Sequence, residues 1–198
     1  MVKPDEGYIK FNLHWDQKEF DFADDDFKLL NSYRTKLFEL NLIGAYPDGI
    51  GFGNLSIRYH KNQFIITGSA TGKNKHLTKK HYALVKDFDL KKNYILSAGA
   101  TKASSESLSH ALIYQSNRNI NAVIHVHHQK FWEEYLNKLP TTSENAAFGT
   151  PEMAREISKL TIHDKGIIIM GGHKEGIITY GKSLNEAGEI LLKYHQKL

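Results

Sequence analysis

A chain of 198 residues with 40% hydrophobic and 24% charged content has enough apolar matter for one core and is not compositionally disordered. It has no cysteine, so disulfides and thiolate metal sites are excluded, and no run approaches the roughly 20 apolar residues of a membrane span. The net charge of +4 is spread over dispersed lysines, without a nucleic-acid-binding motif, and suits a small anionic substrate such as a phosphate ester. Met1 to Glu6 lacks the apolar core of a signal peptide, which makes the cytoplasm the expected location.

In chain order, Tyr8 to Trp15 alternates in character and predicts an edge strand. Asp24, Asp25 and Asp26 open a helix whose apolar residues continue through Leu40, acidic side chains suiting its positive end. Pro47, Gly49, Gly51 and Gly53 mark a loop that releases a strand over Asn54–Tyr59, with Gln63–Thr67 as its hairpin partner. A second loop runs from Gly68 to Lys75, a short helix begins near Thr78, and Tyr94–Ser97 reads as a strand. Ser105 is the expected N-cap of a helix through Leu108, Leu112, Ile113 and Tyr114. Ala122–His127 is a strongly apolar strand, residues 151 to 160 look helical, and Ile167–Met170 and Gly176–Tyr180 form a hairpin before a closing helix from Leu184 to His195. No repeat or linker interrupts the chain, and the pattern predicts a single layered α/β or α+β domain with a mixed sheet.

Two glycine-rich segments imitate nucleotide motifs. Gly68-Ser69-Ala70-Thr71-Gly72-Lys73-Asn74 is too short between its glycines for a phosphate loop of the triphosphatase kind, and Asn74 stands where a magnesium-binding hydroxyl belongs. Gly49-Ile50-Gly51-Phe52-Gly53 fails the dinucleotide spacing. Both loops retain a weaker capacity, that of presenting backbone N–H groups to an anion.

The chemistry is carried by histidines. His125 and His127 alternate on one predicted strand, so both imidazoles leave the same face and can reach one cation. His173 follows another apolar strand that ends in Gly171-Gly172. Three imidazoles from two strand ends, with a coordination position left open, match a catalytic zinc. Glu106, at the start of a helix after Ser104 and Ser105, is the acid/base candidate, and the two serines can be either caps or a phosphate cradle. His110, one turn further, reads as a packing or hydrogen-bonding residue.

Taken in order, these segments resemble the class II aldolase/adducin family. Gly53-Asn54-Leu55-Ser56, Ser104-Ser105-Glu106 with His110 and Ile113-Tyr114, Ala122 to His127, Gly149-Thr150-Pro151-Glu152-Met153-Ala154 and Gly181 to Ala187 each resemble a family motif, over residues 27 to 195, with 1–26 as an extension. The resemblance implies a three-layer αβα domain around a central, mostly antiparallel mixed sheet, assembled as a homotetramer. It implies Zn2+ on His125, His127 and His173, Glu106 as the acid/base, and a phosphate site of Gly53, Asn54, Thr71, Gly72, Ser104 and Ser105. The implied reaction is reversible aldol cleavage of a small phosphorylated ketose through a metal-stabilised enediolate. A sugar-phosphate dehydratase and a non-catalytic adducin-like scaffold are the alternatives, and Glu106 in place of aspartate argues against 4-epimerisation. Three departures from the family pattern stand out. The family's His-Gly is expanded to His173-Lys174-Glu175-Gly176, the phosphate turn reads Thr67 to Gly72 without proline, and Lys102-Ala103 precedes the serines.

Overall fold

Residues 7–198 are described by the computed structural model, and the reading of Met1 to Glu6 lies outside them. The elements follow as β1 (Asn12–Asp16), α1 (Asp24–Glu39), β2 (Gly44–Ala45), β3 (Gly51–Phe52), β4 (Asn54–Arg58) and β5 (Phe64–Thr67). A single 3-10 turn (Lys79–His81) precedes β6 (Tyr82–Asp89), β7 (Tyr94–Ala98), α2 (Ser107–Ser116), β8 (Ala122–His127) and α3 (Gln129–Tyr135). The chain closes with α4 (Pro151–Leu160), β9 (Gly166–Ile169), β10 (Gly176–Gly181) and α5 (Leu184–His195). Eight strands form one sheet in the order β1-β7-β6-β5-β4-β8-β10-β9, while β2 and β3 make a separate small hairpin. Every pair in the large sheet is antiparallel except β1 with β7. The mostly antiparallel mixed sheet expected from the sequence is therefore present, with β1 at its edge.

Apolar residues cover both faces of this sheet, giving two cores and three layers. One core packs Leu108, Ala111 and Leu112 of α2 and Met153, Ala154 and Ile157 of α4 against Phe64, Ile66 and Val123. The other packs Leu30 and Leu37 of α1 and Leu184 and Leu191 of α5 against Leu55, Ile124 and Ile177. All six residues of β8 are buried, because this central strand has a core on each side. Its alternation decides direction: Ala122, Ile124 and Val126 enter the α1/α5 core, whereas Val123, His125 and His127 share the opposite face.

Local chemistry accounts for the helix ends. Thr150 Oγ1 accepts from Met153 N–H at 3.3 Å with Pro151 in the first turn of α4, and Ser183 Oγ accepts from Glu186 N–H at 3.2 Å at the start of α5. The expected cap Ser105 is corrected: α2 begins one residue later, with Glu106 in the cap position and no side-chain cap bond. Ser104 takes the satisfying role instead, its carbonyl accepting from Ser107 N–H at 3.1 Å and from Ser107 Oγ at 2.7 Å. Strand β6 has no counterpart in the sequence reading, because an irregularity between Val85 and Asp87 shifts its alternation out of phase. Helix α3 is likewise unanticipated; it is short and starts on His128, whose Nδ1 accepts from Phe131 N–H at 3.0 Å.

His110 has the hydrogen-bonding role expected of it. Its Nδ1 lies 2.7 Å from Ser56 Oγ, which is also 2.7 Å from Tyr114 Oη, in the sealed layer between α2 and β4. Burial pushes the His110 imidazole from 6.5 down to about 3. The unfolded chain therefore binds a proton below pH 6.5 that the folded chain refuses, so this contribution to stability is complete above 6.5 and is lost as pH falls towards 3. The full effect is on the order of a few kcal/mol. Urea unfolding of the metal-free protein should show stability falling from pH 7 to pH 5, with a shallower slope for His110→Gln; an unchanged slope contradicts this account.

Candidate metal centre

Three strands assemble the histidines. The register of β8 against β10 sets His127 opposite Gly176 and His125 opposite Ile178, and β4 sets Asn54 opposite His125 on the other side. His173 sits in the turn joining β9 to β10, closed by Met170 N–H to Gly176 O at 2.9 Å and Gly176 N–H to His173 O at 2.9 Å. The predicted trio is thereby gathered, with one ligand nitrogen from each of His125, His127 and His173 within 4.8 Å of the others. All three are buried, at 1%, 2% and 4% exposure.

Neighbouring groups decide which nitrogens face inward. Nδ1 of His125 is 3.1 Å from the Ile177 carbonyl, which can only accept, so Nδ1 carries the proton and Nε2 the lone pair. Tyr46 Oη donates its single proton to Glu175 Oε2 at 2.9 Å, and the same oxygen lies 2.9 Å from His127 Nδ1. With the phenol proton on Glu175, His127 donates from Nδ1 once a cation takes its Nε2 lone pair. The two Nε2 atoms stand 3.0 Å apart. Burial, followed by the neighbouring imidazoles, pushes both rings well below the usual histidine range, so both are neutral at pH 7. Two converging Nε2 atoms of neutral imidazoles, with a third ring beside them, form a donor set that fits a borderline-soft divalent cation. Phenylalanines grip two of the rings: Phe52 stacks on His127 at 5.5 Å and Phe148 on His173 at 4.6 Å.

Beside the trio lies a small polar pocket. Gly53, Asn54, Thr71, Gly72, Ser104 and Ser105 all line it, together with Glu106. The six residues expected to form an anion site are thus brought together, and the Asn54–His125 register joins the pocket to the metal centre. Asn54 is buried, and its amide oxygen has no hydrogen-bond partner among the described residues. Glu106 is also buried, with Oε2 accepting from Ser109 Oγ at 3.0 Å. Loop backbones approach closely here: a Cβ on Gly72 would lie 2.1 Å from Gly44 O, and Gly53 holds φ +74° against Ile43. Lys102, by contrast, lies over the Trp15 ring at 5.6 Å. A larger hollow, lined by Glu19, Asp21, Lys79, Lys80 and Tyr82, contains none of the predicted residues.

Four residues of this region escaped sequence reasoning: Arg34, Tyr46, Phe52 and Phe148. Only Arg34 carried a signal, since it shares the buried stripe of α1 with Leu30 and Leu37, where a cation is out of place. It is 1% exposed, and Nη2 donates to Gly72 O at 2.8 Å and Thr71 O at 3.4 Å, pinning the 68–74 loop from behind. Burial lowers its guanidinium to about 10, which still leaves it charged at pH 7.

Residues 48–132 match the Class II Aldolase and Adducin N-terminal domain. A curated relative is the "Probable L-ribulose-5-phosphate 4-epimerase UlaF" of Mycoplasma pneumoniae, 26% identical over 183 residues, 86% of this chain and 72% of that protein. Among solved structures, an L-fuculose 1-phosphate aldolase superposes with TM-score 0.68 at 23% identity, covering 88% of this chain and 84% of that one. A sugar-phosphate aldolase from Thermotoga maritima gives TM-score 0.65 at 14% identity, covering 87% and 92%.

Arg34→Met removes the charged donor that holds the loop, a contribution of about 1.5–3 kcal/mol. Amide hydrogen exchange over residues 68–74 should accelerate by about tenfold or more, while β8 and β10 keep their protection. Unchanged exchange in that loop would mean that other contacts hold it.

Proposed function

We propose that this chain, a member of the class II aldolase and adducin family, is a zinc-dependent lyase that reversibly cleaves a small phosphorylated ketose by an aldol reaction. One observation carries the reading: three buried imidazoles whose ligand nitrogens converge adjoin, through the Asn54–His125 pairing, a polar pocket that contains a buried carboxylate. The ligands are His125, His127 and His173. Zinc matches an all-imidazole set better than magnesium or calcium does. A cation held there supplies a Lewis acid for the negative charge that develops as the carbon–carbon bond breaks.

The chain's own residues do the rest. Gly53, Asn54, Thr71, Gly72, Ser104 and Ser105 bind the phosphate and hold the sugar in register, which reduces the entropic cost of alignment. Glu106 lines the same pocket, and in this reading it adds or removes the proton at the carbon next to the substrate carbonyl. The neutral, buried surroundings keep water from quenching that carbanionic carbon. The reading also takes residues 1–198 as one domain that works in the cytoplasm as a homotetramer.

A second reading, 4-epimerisation of a pentulose phosphate, is favoured by the likeness to the Mycoplasma pneumoniae protein. Glu106 stands against it, on the family pattern in which epimerases carry aspartate there. Zinc-loaded protein incubated with phosphorylated ketoses should release an aldehyde and a three-carbon ketone, one of the two carrying the phosphate. A recovered epimer without cleavage supports the second reading, and a dehydrated product supports a dehydratase. Glu106→Gln should retain one zinc per chain and lose turnover by about 10²–10⁴-fold. Full activity in that variant would remove Glu106 from the reaction.

A further inference from the structure

The expansion His173-Lys174-Glu175-Gly176 lies in the turn between β9 and β10, and its two added side chains diverge. Lys174 is exposed, whereas Glu175 is half-buried and turned inward. Glu175 holds φ +70°, a left-handed conformation that costs a branched-off Cβ energy and that glycine adopts freely. Its carbonyl is anchored by His128 N–H at 3.0 Å, directly after β8. That anchor aims the carboxylate at Tyr46, whose hydroxyl donates to Oε2 at 2.9 Å and reaches His127 Nδ1 at 2.9 Å. Tyr46 is itself fixed, its ring 4.6 Å from Phe52 and its backbone closed by Gly49 N–H to Tyr46 O at 2.8 Å.

From this geometry we infer that Glu175 and Tyr46 are positioning residues for the metal, forming a carboxylate–phenol–imidazole relay that sets the tautomer and donor strength of His127. The inference rests on the metal reading proposed above. A carboxylate can only accept, so it takes the tyrosine proton and leaves the phenol oxygen as an acceptor. The phenol oxygen in turn accepts from His127 Nδ1–H when a cation takes the Nε2 lone pair, and this tautomer presents Nε2 to the other two rings. Negative charge relayed from Glu175 raises the basicity of that lone pair, as partners of metal-bound histidines do when they accept from the distal nitrogen. His125 has only a neutral carbonyl, that of Ile177, in the corresponding place. The two strand histidines are therefore unequal ligands, and His127 is the stronger. The added residues beside the metal thus act on affinity, and the strained backbone at Glu175 is retained because a glycine there could not carry the carboxylate.

Zinc affinity, measured on the full chain by competition with a chromophoric chelator, tests this. Tyr46→Phe keeps the ring on Phe52, Glu175→Gln keeps the side-chain shape, and Glu175→Gly relieves the left-handed strain. Each should bind zinc about 10- to 100-fold more weakly, while Lys174→Ala stays within about twofold of wild type. Metal-free Glu175→Gly should melt no lower than wild type, which separates the relay from a turn-forming role, since a residue needed only for the turn is replaced by glycine without loss of affinity. Affinities within about twofold of wild type for both Tyr46→Phe and Glu175→Gln overturn the relay. If wild type takes up zinc and these variants match it, the relay alone fails; if wild type takes up none, the metal reading fails and the relay with it.

Discussion

The Nε2 atoms of His125 and His127 face each other across 3.0 Å, a separation that a shared proton or a cation must bridge, because two bare lone pairs repel there. In this chain neither ring is free to turn the problem aside. His125 is committed to the Ile177 carbonyl, His127 to a phenol whose own proton is taken by Glu175, and burial opposes protonation of both. The third ring, His173, is pressed against Phe148 and completes the convergence. A cation bound by all three imidazoles would satisfy this convergence, and the remaining structure can be understood as the apparatus that maintains it.

That apparatus is chiefly strand register. His125 and His127 share a face because they are separated by one residue on β8, and a slip of a single residue would send both into the α1/α5 core. Such a slip is opposed on both flanks by β4 and β10, and by apolar residues on each side of the strand. The same register brings Asn54 next to His125, so one wall of the polar pocket is fixed relative to the histidines by strand pairing. Loops add what strands cannot: Arg34 pins the 68–74 segment from behind, and the β9–β10 turn carries both His173 and Glu175.

Much of this was legible in the sequence because it depends on short-range periodicity. The alternation of Ala122 to His127 fixes which side chains share a face, and Asp24 to Asp26 mark the helix that follows. The order of five short motifs pointed to the family; Gly53, Asn54, Ser104, Ser105 and Glu106 of two of them line one pocket, and His125 and His127 of a third converge with His173. What escaped reading was long-range or out of phase. The expansion marked Glu175 as a residue that could enter the site, but its partner Tyr46 is 129 positions away, and nothing local ties a tyrosine in the β2–β3 hairpin to that turn. Strand β6 was hidden by its irregularity near Asp87, and the cap of α2 shifted from Ser105 to Glu106 because the Ser104 carbonyl already served the first turn. Arg34 could have been found, since a cation at a stripe position between Leu30 and Leu37 asks what it binds.

X-ray absorption at the zinc edge of the loaded protein tests the central claim most directly. The account predicts one zinc per chain with three imidazole nitrogens at about 2.0–2.1 Å and the remaining positions filled by oxygen. A spectrum with fewer than two imidazoles, or one left unchanged when His125, His127 and His173 are all replaced by alanine, would contradict it.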